Sequence, residues 1–492
     1  MNNKKNIWKN NNYSDIIIKN YKGGIKLEDN LENKLTSKKQ SGWLETDDNK
    51  FNQIFSFCDC YMNFLNHSKT EREFAFNAKQ LAEENGFRDI NTIQTLNEGD
   101  KVYYLNREKS VYLAIIGKQP IENGLHIVGA HIDSPRIDLK PNPLYEDGEL
   151  AYFNTHYYGG IKKYQWTTIP LSIHGVIIKA NGEKITINIG EDANDPIFTI
   201  TDLLPHLARE QSTKKLGEAI EGENLNLLIG SIPILDKNVK EKVKLNILKI
   251  LNEKYGLIED DFVSSELELV PSFKARSLGF DYGMVAAYGQ DDKLCSYTSL
   301  KALMELNTPE KTAVCILTDK EEIGSYGNTG MKSHVFDYFI SEILNKKGEN
   351  KPNLLDKVFC HSKMLSADVD GGYDPLYRNV SDKYNSSFLS KGITLNKYTG
   401  VRGKSGASDA NAEYVAWVRN LLEQNNIKYQ VTELGKVDEG GGGTIAYMLA
   451  NKGVDVIDCG AAVLSMHAPY EVASKFDIYE AYRAYKAFWE SV

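Results

Sequence analysis

The stretch that most constrains this 492-residue chain runs from Thr312 to Gly327, TAVCILTDKEEIGSYG. A run of apolar and β-branched residues, Ala313 to Leu317, stops at Asp319, and two adjacent glutamates, Glu321 and Glu322, follow before Gly324. A short apolar run bounded by turn residues has the pattern of a strand buried on both faces. Such strands belong to sheets covered by helices, and ligand sites in those sheets lie beyond the carboxyl ends of the strands. Adjacent glutamates also occur on solvated helix faces, and Glu83–Glu84 reads that way. The meaning of Glu321–Glu322 therefore depends on what other strand ends deliver.

With 41% hydrophobic and 25% charged residues, the composition is that of an ordinary globular protein, and the length allows two or three domains. A net charge of −9 argues against nucleic acid or an anionic membrane as the main partner. No apolar run approaches the roughly 20 residues needed to span a bilayer. The opening stretch, MNNKKNIWKNNNYSDIIIKNYKGG, lacks the apolar core of a secretory signal, so a cytoplasmic location is expected. The cysteines form no CxxC pair, and Cys295, Cys315 and Cys459 sit in apolar segments, which suits buried free thiols rather than disulfides or metal ligands.

Residues 1–50 read as a loosely ordered arm with short helical pieces. Helical spacing follows over 52–66 and 70–86, then strands at VYYLN, VYLAIIG and LHIVGAHID. Residues 136–282 differ in texture. They are rich in strands, include a hairpin expected to turn on the two residues Asn181-Gly182, and carry one helix near 239–254. A stretch this long is no loop within a compact domain, so it reads as an inserted β-rich domain. After residue 283 strands and helices alternate again, with helices expected near 294–306, 335–346, 409–424, 444–451 and 477–489 and a long polar loop over 370–405. The expected fold class is therefore α/β, a mixed-sheet domain built from 1–135 and 283–492 around the insertion.

Five strand ends in this frame deliver hard metal ligands: His131, Asp291, Glu322, Asp368 and His467. Carboxylates with two imidazoles and no thiolate suit zinc, manganese or cobalt. Five such ligands, one of them bridging, make two three-ligand sites, the minimum for a two-metal hydrolase. In extended chain His131 and Asp133 point the same way, so Asp133 could orient the imidazole from behind; a surface histidine beside an aspartate is the plain alternative.

The set GAHIDSPR, YGQDDKLCSY, LTDKEEIGSYG, SADVD and SMHAPYEVAS resembles the aspartyl aminopeptidase family of co-catalytic metallopeptidases, over residues 60 to 490. The resemblance implies an aminopeptidase with two divalent ions per subunit, most simply Zn2+. His131 and Asp368 would hold one ion, Glu322 and His467 the other, and Asp291 both. Glu321 would be the general base and Asp133 the partner behind a ligand. The substrates would be peptides with a free N-terminus, and the insertion would mediate dimers within a homo-oligomer, a tetrahedral dodecamer. His206, in TDLLPHLARE, would complete the active site of a neighbouring subunit; without the resemblance it is a structural or surface histidine. Gly442, in the EGGGGT stretch, would line the substrate cleft; a glycine-rich helix start also suits an anion, but the phosphate-loop pattern GxxxxGK[ST] is absent. Lys397, Arg402 and Lys404 form a basic cluster suited to an acidic substrate group, or simply a solvated loop. Two departures stand out: Asp292 lies where relatives often have asparagine, and TGVRGKSGASDA differs from the better-known eukaryotic members. The rivals are a two-metal deacylase or amidohydrolase acting on N-acyl amino acids, and a metal-stabilised self-assembling scaffold.

Overall fold

The computed structural model describes residues 35–36, 40–349 and 351–492. Most of the arm expected over 1–50 lies outside the described residues. Helix α1 (Asp48–Asn66) begins four residues earlier than its apolar spacing predicts, because the Asp47 side chain caps it by accepting from the Lys50 amide. Helix α2 (Glu71–Glu84) opens on a capping box between Thr70 and Glu73. Glu83 and Glu84 are exposed near its end.

Strands β1 (Arg88–Asp89), β2 (Lys101–Asn106), β3 (Ser110–Ile115) and β4 (His126–His131) come first. Next are β5 (Arg136–Asp147), β6 (Leu150–Tyr158), β7 (Leu171–Ile178), β8 (Lys184–Ile189), β9 (Leu227–Gly230), helix α3 (Lys242–Tyr255) and β10 (Ser265–Pro271). The remainder of the chain alternates: β11 (Arg276–Leu278), β12 (Met284–Ala287), α4 (Gln290–Met304), β13 (Ala313–Thr318), α5 (Val335–Lys346), α6 (Leu354–Cys360), β14 (Lys363–Ser366), β15 (Asp370–Gly371) and β16 (Ile393–Asn396). Helix α7 (Ala412–Gln424), β17 (Tyr429–Thr432), α8 (Ala446–Ala450), β18 (Asp455–Gly460), β19 (Ala462–Leu464), β20 (Glu471–Ser474) and α9 (Lys475–Glu490) complete the order.

The strands form three sheets. The largest has the order β1-β2-β3-β13-β4-β14-β18-β16-β17, with β13, β4, β14 and β18 mutually parallel at its centre and antiparallel pairings on either side. Residues on β13 alternate between two cores: Ala313, Cys315 and Leu317 pack on one face with α1, α2, α4 and α9, and Val314 and Ile316 on the other with α5, α6 and α8. Period-two side chains on a sheet covered on both faces require this alternation. The second sheet, β8-β7-β10-β5-β6-β9, draws all its strands from residues 136–271, and has its own core around Trp166, Leu171 and Leu269. The third is β11-β12-β20-β19-β15.

Three expectations are corrected and one helix is added. The hairpin between β7 and β8 does not turn on two residues. The Gly182 amide bonds to the Lys179 carbonyl and Lys179 to Glu183, while Gly182 alone takes a positive φ, +86°; this is the longer loop in which a glycine follows an ordinary turn. The stretch 370–405 is not only loop, since β16 lies within it and buries Ile393 and Leu395; four residues are too few for periodicity to register. Helix α6 between residues 354 and 360 was not foreseen. Helix α8 starts two residues after Thr444, whose hydroxyl oxygen accepts from the Ala446 amide.

Candidate metal centre

Strands β13, β4 and β14 lie side by side and parallel, so their carboxyl ends share one edge. From that edge come His131 at the end of β4, Glu321 and Glu322 in the turn after β13, and Asp368 two residues past β14. The third sheet supplies the other two residues. Strands β12 and β19 both run antiparallel to β20, so their carboxyl ends also coincide, beside the start of β20 at Glu471. Asp291 and His467 follow those ends. Asp291 is not at a strand end, as expected, but in the first turn of α4, where its backbone leaves helical geometry. Gly289 makes the approach with φ +71°; a Cβ there would fall 2.8 Å from Lys293 Nζ and 2.9 Å from Ser134 Oγ.

The side chains converge. His131 Nε2 is 3.3 Å from Asp291 Oδ1 and 3.9 Å from Asp368 Oδ1. His467 Nε2 is 3.1 Å from Asp291 Oδ2 and 3.6 Å from Glu322 Oε1. Asp291 thus turns one oxygen to each imidazole. The other ring nitrogens are held from behind: His131 Nδ1 by the Asp133 carbonyl at 3.0 Å and carboxylate at 3.3 Å, His467 Nδ1 by the Gly160 carbonyl at 2.8 Å. Those acceptors hold the hydrogen on Nδ1, so Nε2 is the nitrogen turned to the cluster, where a cation would take the place of its proton.

The electrostatics are those of excess negative charge. Burial, with the Asp133 and Asp291 charges adding to it, pushes Glu321 up to about 7. Burial likewise drives Glu322 and Asp368 well above the carboxylate range. Burial also opposes ionisation of Asp291, but its hydrogen bonds with His131 and His467 hold it well below that range. His467 rises to about 10, because Asp291 and Glu322 more than offset its own burial. Within this cluster two buried carboxylate oxygens, Glu322 Oε1 and Asp292 Oδ1, accept no hydrogen bond. Ligand atoms of His131, Asp291 and Glu322 lie within 4.8 Å of one another, as do those of His131, Asp292 and Asp368. Unpartnered buried carboxylates grouped at this spacing fit a divalent cation, which supplies the positive charge they lack.

Sequence reasoning left several supporting residues without a role. Glu471 accepts from the amides of Asp291 (3.1 Å) and His467 (2.8 Å); it stands four residues after His467 within a motif already noted, which was the available signal. Lys293 is fully buried and donates to Ser134 Oγ at 2.5 Å, and Ser134 donates to the Asp291 carbonyl at 2.8 Å. Tyr158 and Gly160 arrive from β6, and no local pattern marks them. Asp133 accepts from the amides of Glu321 and Glu322 at 3.1 and 3.2 Å, so it organises the glutamate turn as well as His131.

The remaining expected residues have partners of their own outside the carboxylate–imidazole cluster, or are exposed. Lys397 and Lys404 both pair with Asp409, at 2.7 and 3.1 Å. Arg402 and Lys404 line a cavity of about 250 Å³ together with Tyr398, Glu433 and Lys436. The Gly442 amide bonds to the Thr399 carbonyl, which ties the glycine-rich loop to the basic loop. His206 is exposed in the segment 201–207, beside Leu203, Leu204 and Leu207, which are 53, 50 and 68% exposed.

A helix-covered mixed sheet that gathers carboxylates and imidazoles beyond its parallel strand ends defines a metallohydrolase. The comparisons with known proteins make this specific. Residues 64–489 match the model of the aminopeptidase I zinc metalloprotease family, M18, and the chain belongs to that family. A probable M18 family aminopeptidase 1 of Clostridium acetobutylicum is 53% identical over 462 residues, 93% of this chain and 99% of the relative. The crystal structure of an M18 aminopeptidase from Thermotoga maritima is 45% identical with a TM-score of 0.90, covering 93% of this chain and all of the other. The Saccharomyces cerevisiae mApe1 dodecamer shares the fold at 22% identity, with a TM-score of 0.72 over 89% and 97% of the two chains. The activity is that of a zinc metalloaminopeptidase, which separates it from the amidohydrolase and scaffold rivals. Among the described residues, no helix is long and apolar enough to cross a membrane.

Proposed function

We propose that the cluster holds two divalent cations, bridged by Asp291, with His131 and Asp368 completing one site and Glu322 and His467 the other. What supports this is the arrangement of Asp291, whose two oxygens face different imidazoles at 3.3 and 3.1 Å. Zn2+ suits the donor set, and Mn2+ or Co2+ would also be accepted. Bound there, the cations supply the Lewis acidity that makes water nucleophilic near neutral pH and polarises the scissile carbonyl.

The chain's own residues do the rest. Glu321, in the turn beside the cluster, takes the proton of the attacking water and delivers it to the leaving amine. Asp133 holds the turn that aims Glu321. The anionic corner of the cluster receives the free α-amine of the substrate, so residues leave one at a time from the N-terminus. Lys397, Arg402 and Lys404, with the Gly442 loop beside them, form the cleft wall and favour an acidic first residue. Residues 136–282 form a dimerisation insertion, and the exposed leucines around His206 support an interface there. Across it, His206 of one subunit completes the site of the other and donates to the developing oxyanion. The subunits then build a homo-oligomer, a dodecamer as in the yeast fold relative.

Metal analysis with and without chelator, followed by leucine-, aspartate- and lysine-derived chromogenic substrates, tests the core of this reading. Two equivalents per subunit and preferential release of aspartate are expected; fewer than two equivalents at full activity would refute the bridged pair. For His206, the variants His206→Phe and Glu321→Gln are mixed under subunit exchange. Activity should return, because one site of a mixed dimer carries both defects and the other neither. Verified exchange without recovery would exclude a role across the interface.

A further inference from the structure

Where β6 ends, the chain crosses the candidate metal centre as Tyr158-Gly159-Gly160. The Tyr158 hydroxyl donates to Asp133 Oδ2 at 2.8 Å, the oxygen that also accepts from the Glu322 amide. The Tyr158 ring is fixed by the Arg136 guanidinium, 3.9 Å from its centroid. Two residues on, the Gly160 carbonyl accepts from His467 Nδ1 at 2.8 Å. Gly159, at φ +75°, lies so close that a Cβ would stand 3.4 Å from Glu322 Oε2. One tripeptide from the second sheet therefore touches the supports of both imidazoles and the wall of Glu322.

We propose that Tyr158 and Gly160 are positioning residues of the metal centre. Tyr158 acts through Asp133, which orients His131 and the Glu321–Glu322 turn; Gly160 acts through the ring plane and tautomer of His467. This rests on the two-cation reading given above. An imidazole held at its far nitrogen meets a cation pre-oriented and more basic, and loss of such a partner typically costs about 10–100-fold in metal affinity or activity. The second sheet thus sets the geometry of a centre whose ligands all belong to the other two sheets.

The test uses the full chain with Tyr158→Phe, Gly160→Ala and, as control, Tyr157→Phe, the exposed neighbour. Tyr158→Phe removes one hydroxyl and keeps the ring under Arg136. Gly160→Ala places a Cβ 3.2 Å from His467 Nδ1 with no contact within 4 Å outside that ring. Zinc dissociation constants come from chelator competition, kcat and KM from a chromogenic substrate, and Tm from the metal-free proteins. Both variants should bind zinc about 10-fold more weakly, with lower kcat, unchanged KM and parental metal-free Tm, and Tyr157→Phe should match the parent. Parental zinc affinity and kcat in both variants overturn the proposal, as does a fall in metal-free Tm with zinc affinity intact, which marks a structural role. If the parent itself binds no zinc, the two-cation reading fails first and takes this inference with it.

Discussion

Glu71 and Glu268 face Arg136 at 3.3 and 3.2 Å, with Lys109 3.2 Å from Glu71. Asp291, Glu322 and Asp368 are also buried or nearly so, yet face only the imidazoles of His131 and His467. The two acidic clusters are linked through Tyr158, which lies under Arg136 and bonds to Asp133. In the first, fixed guanidinium and ammonium charges complete the arrangement, and such a network serves the fold. Carboxylate oxygens without a hydrogen bond occur in both clusters, but in the second no guanidinium or ammonium group pairs with Asp291, Glu322 or Asp368 among the described residues. Burial of acid alone therefore says little about function; the identity of the counter-charge separates a structural cluster from one suited to a metal.

The sharpest way to break this contrast is Asp291→Asn. A bridging carboxylate serves both cations, so the variant should lose both equivalents of metal and essentially all turnover, and two tightly bound equivalents by elemental analysis would end the bridging role. Glu321→Gln should keep metal and assembly while kcat falls about 10²–10⁴-fold; wild-type turnover would remove the base from the scheme. Arg136→Met strips the structural cluster of its central cation, and breaking a buried pair from one side costs about 3–5 kcal/mol, to be read by denaturant unfolding of the metal-free protein.

A pH experiment sharpens the same point. Burial works against ionisation of Glu71, but the Arg136 and Lys109 charges more than offset it and hold the carboxyl well below the usual range. A depressed folded-state pKa contributes stability that is present above the unfolded value, about 4.3, and lost as the pH falls through it toward the folded value. Glu71→Gln should therefore flatten the loss of Tm below about pH 4.3; parallel curves for variant and parent would show that Arg136 does not hold Glu71 ionised. The smallest effect is expected at the exposed basic loop. Lys404→Ala breaks one surface pair with Asp409, worth about 0.2–1 kcal/mol, so Tm should barely move. KM should rise a few-fold for aspartate-derived substrates but not for leucine-derived ones, and equal changes for both would take the loop out of acidic recognition.

His131, Glu322 and Asp368 were legible because each follows a short apolar run, and the sheet order places those runs next to one another. His467 and Asp291 were legible as residues, but nothing in the sequence told that their strands, β19 and β12, belong to a separate sheet. Asp292 reads in the sequence only as a departure, although its carboxylate groups with His131 and Asp368. Lys397 and Lys404 read as available charge, whereas both pair with Asp409 in the same loop, which offsets one of the two charges. Tyr158 and Gly160 could not be foreseen. Their importance arises from contacts with Asp133 and His467, and a side chain's distant neighbours leave no periodic mark on its own segment. Helix α6 and strand β16 were missed for a simpler reason, since short elements span too few residues for a period to emerge.

His467 follows Gly160 by 307 residues, yet its ring is fixed by that residue's carbonyl. On the ribosome, His131 and the tripeptide at 158–160 are made long before their counterpart on the far side of the cluster exists. A growing chain therefore carries half a centre through most of its synthesis and gains the second imidazole only when β19 and β20 pair with β12. A chain laid out in this order cannot assemble its full set of ligands until its last strands are made.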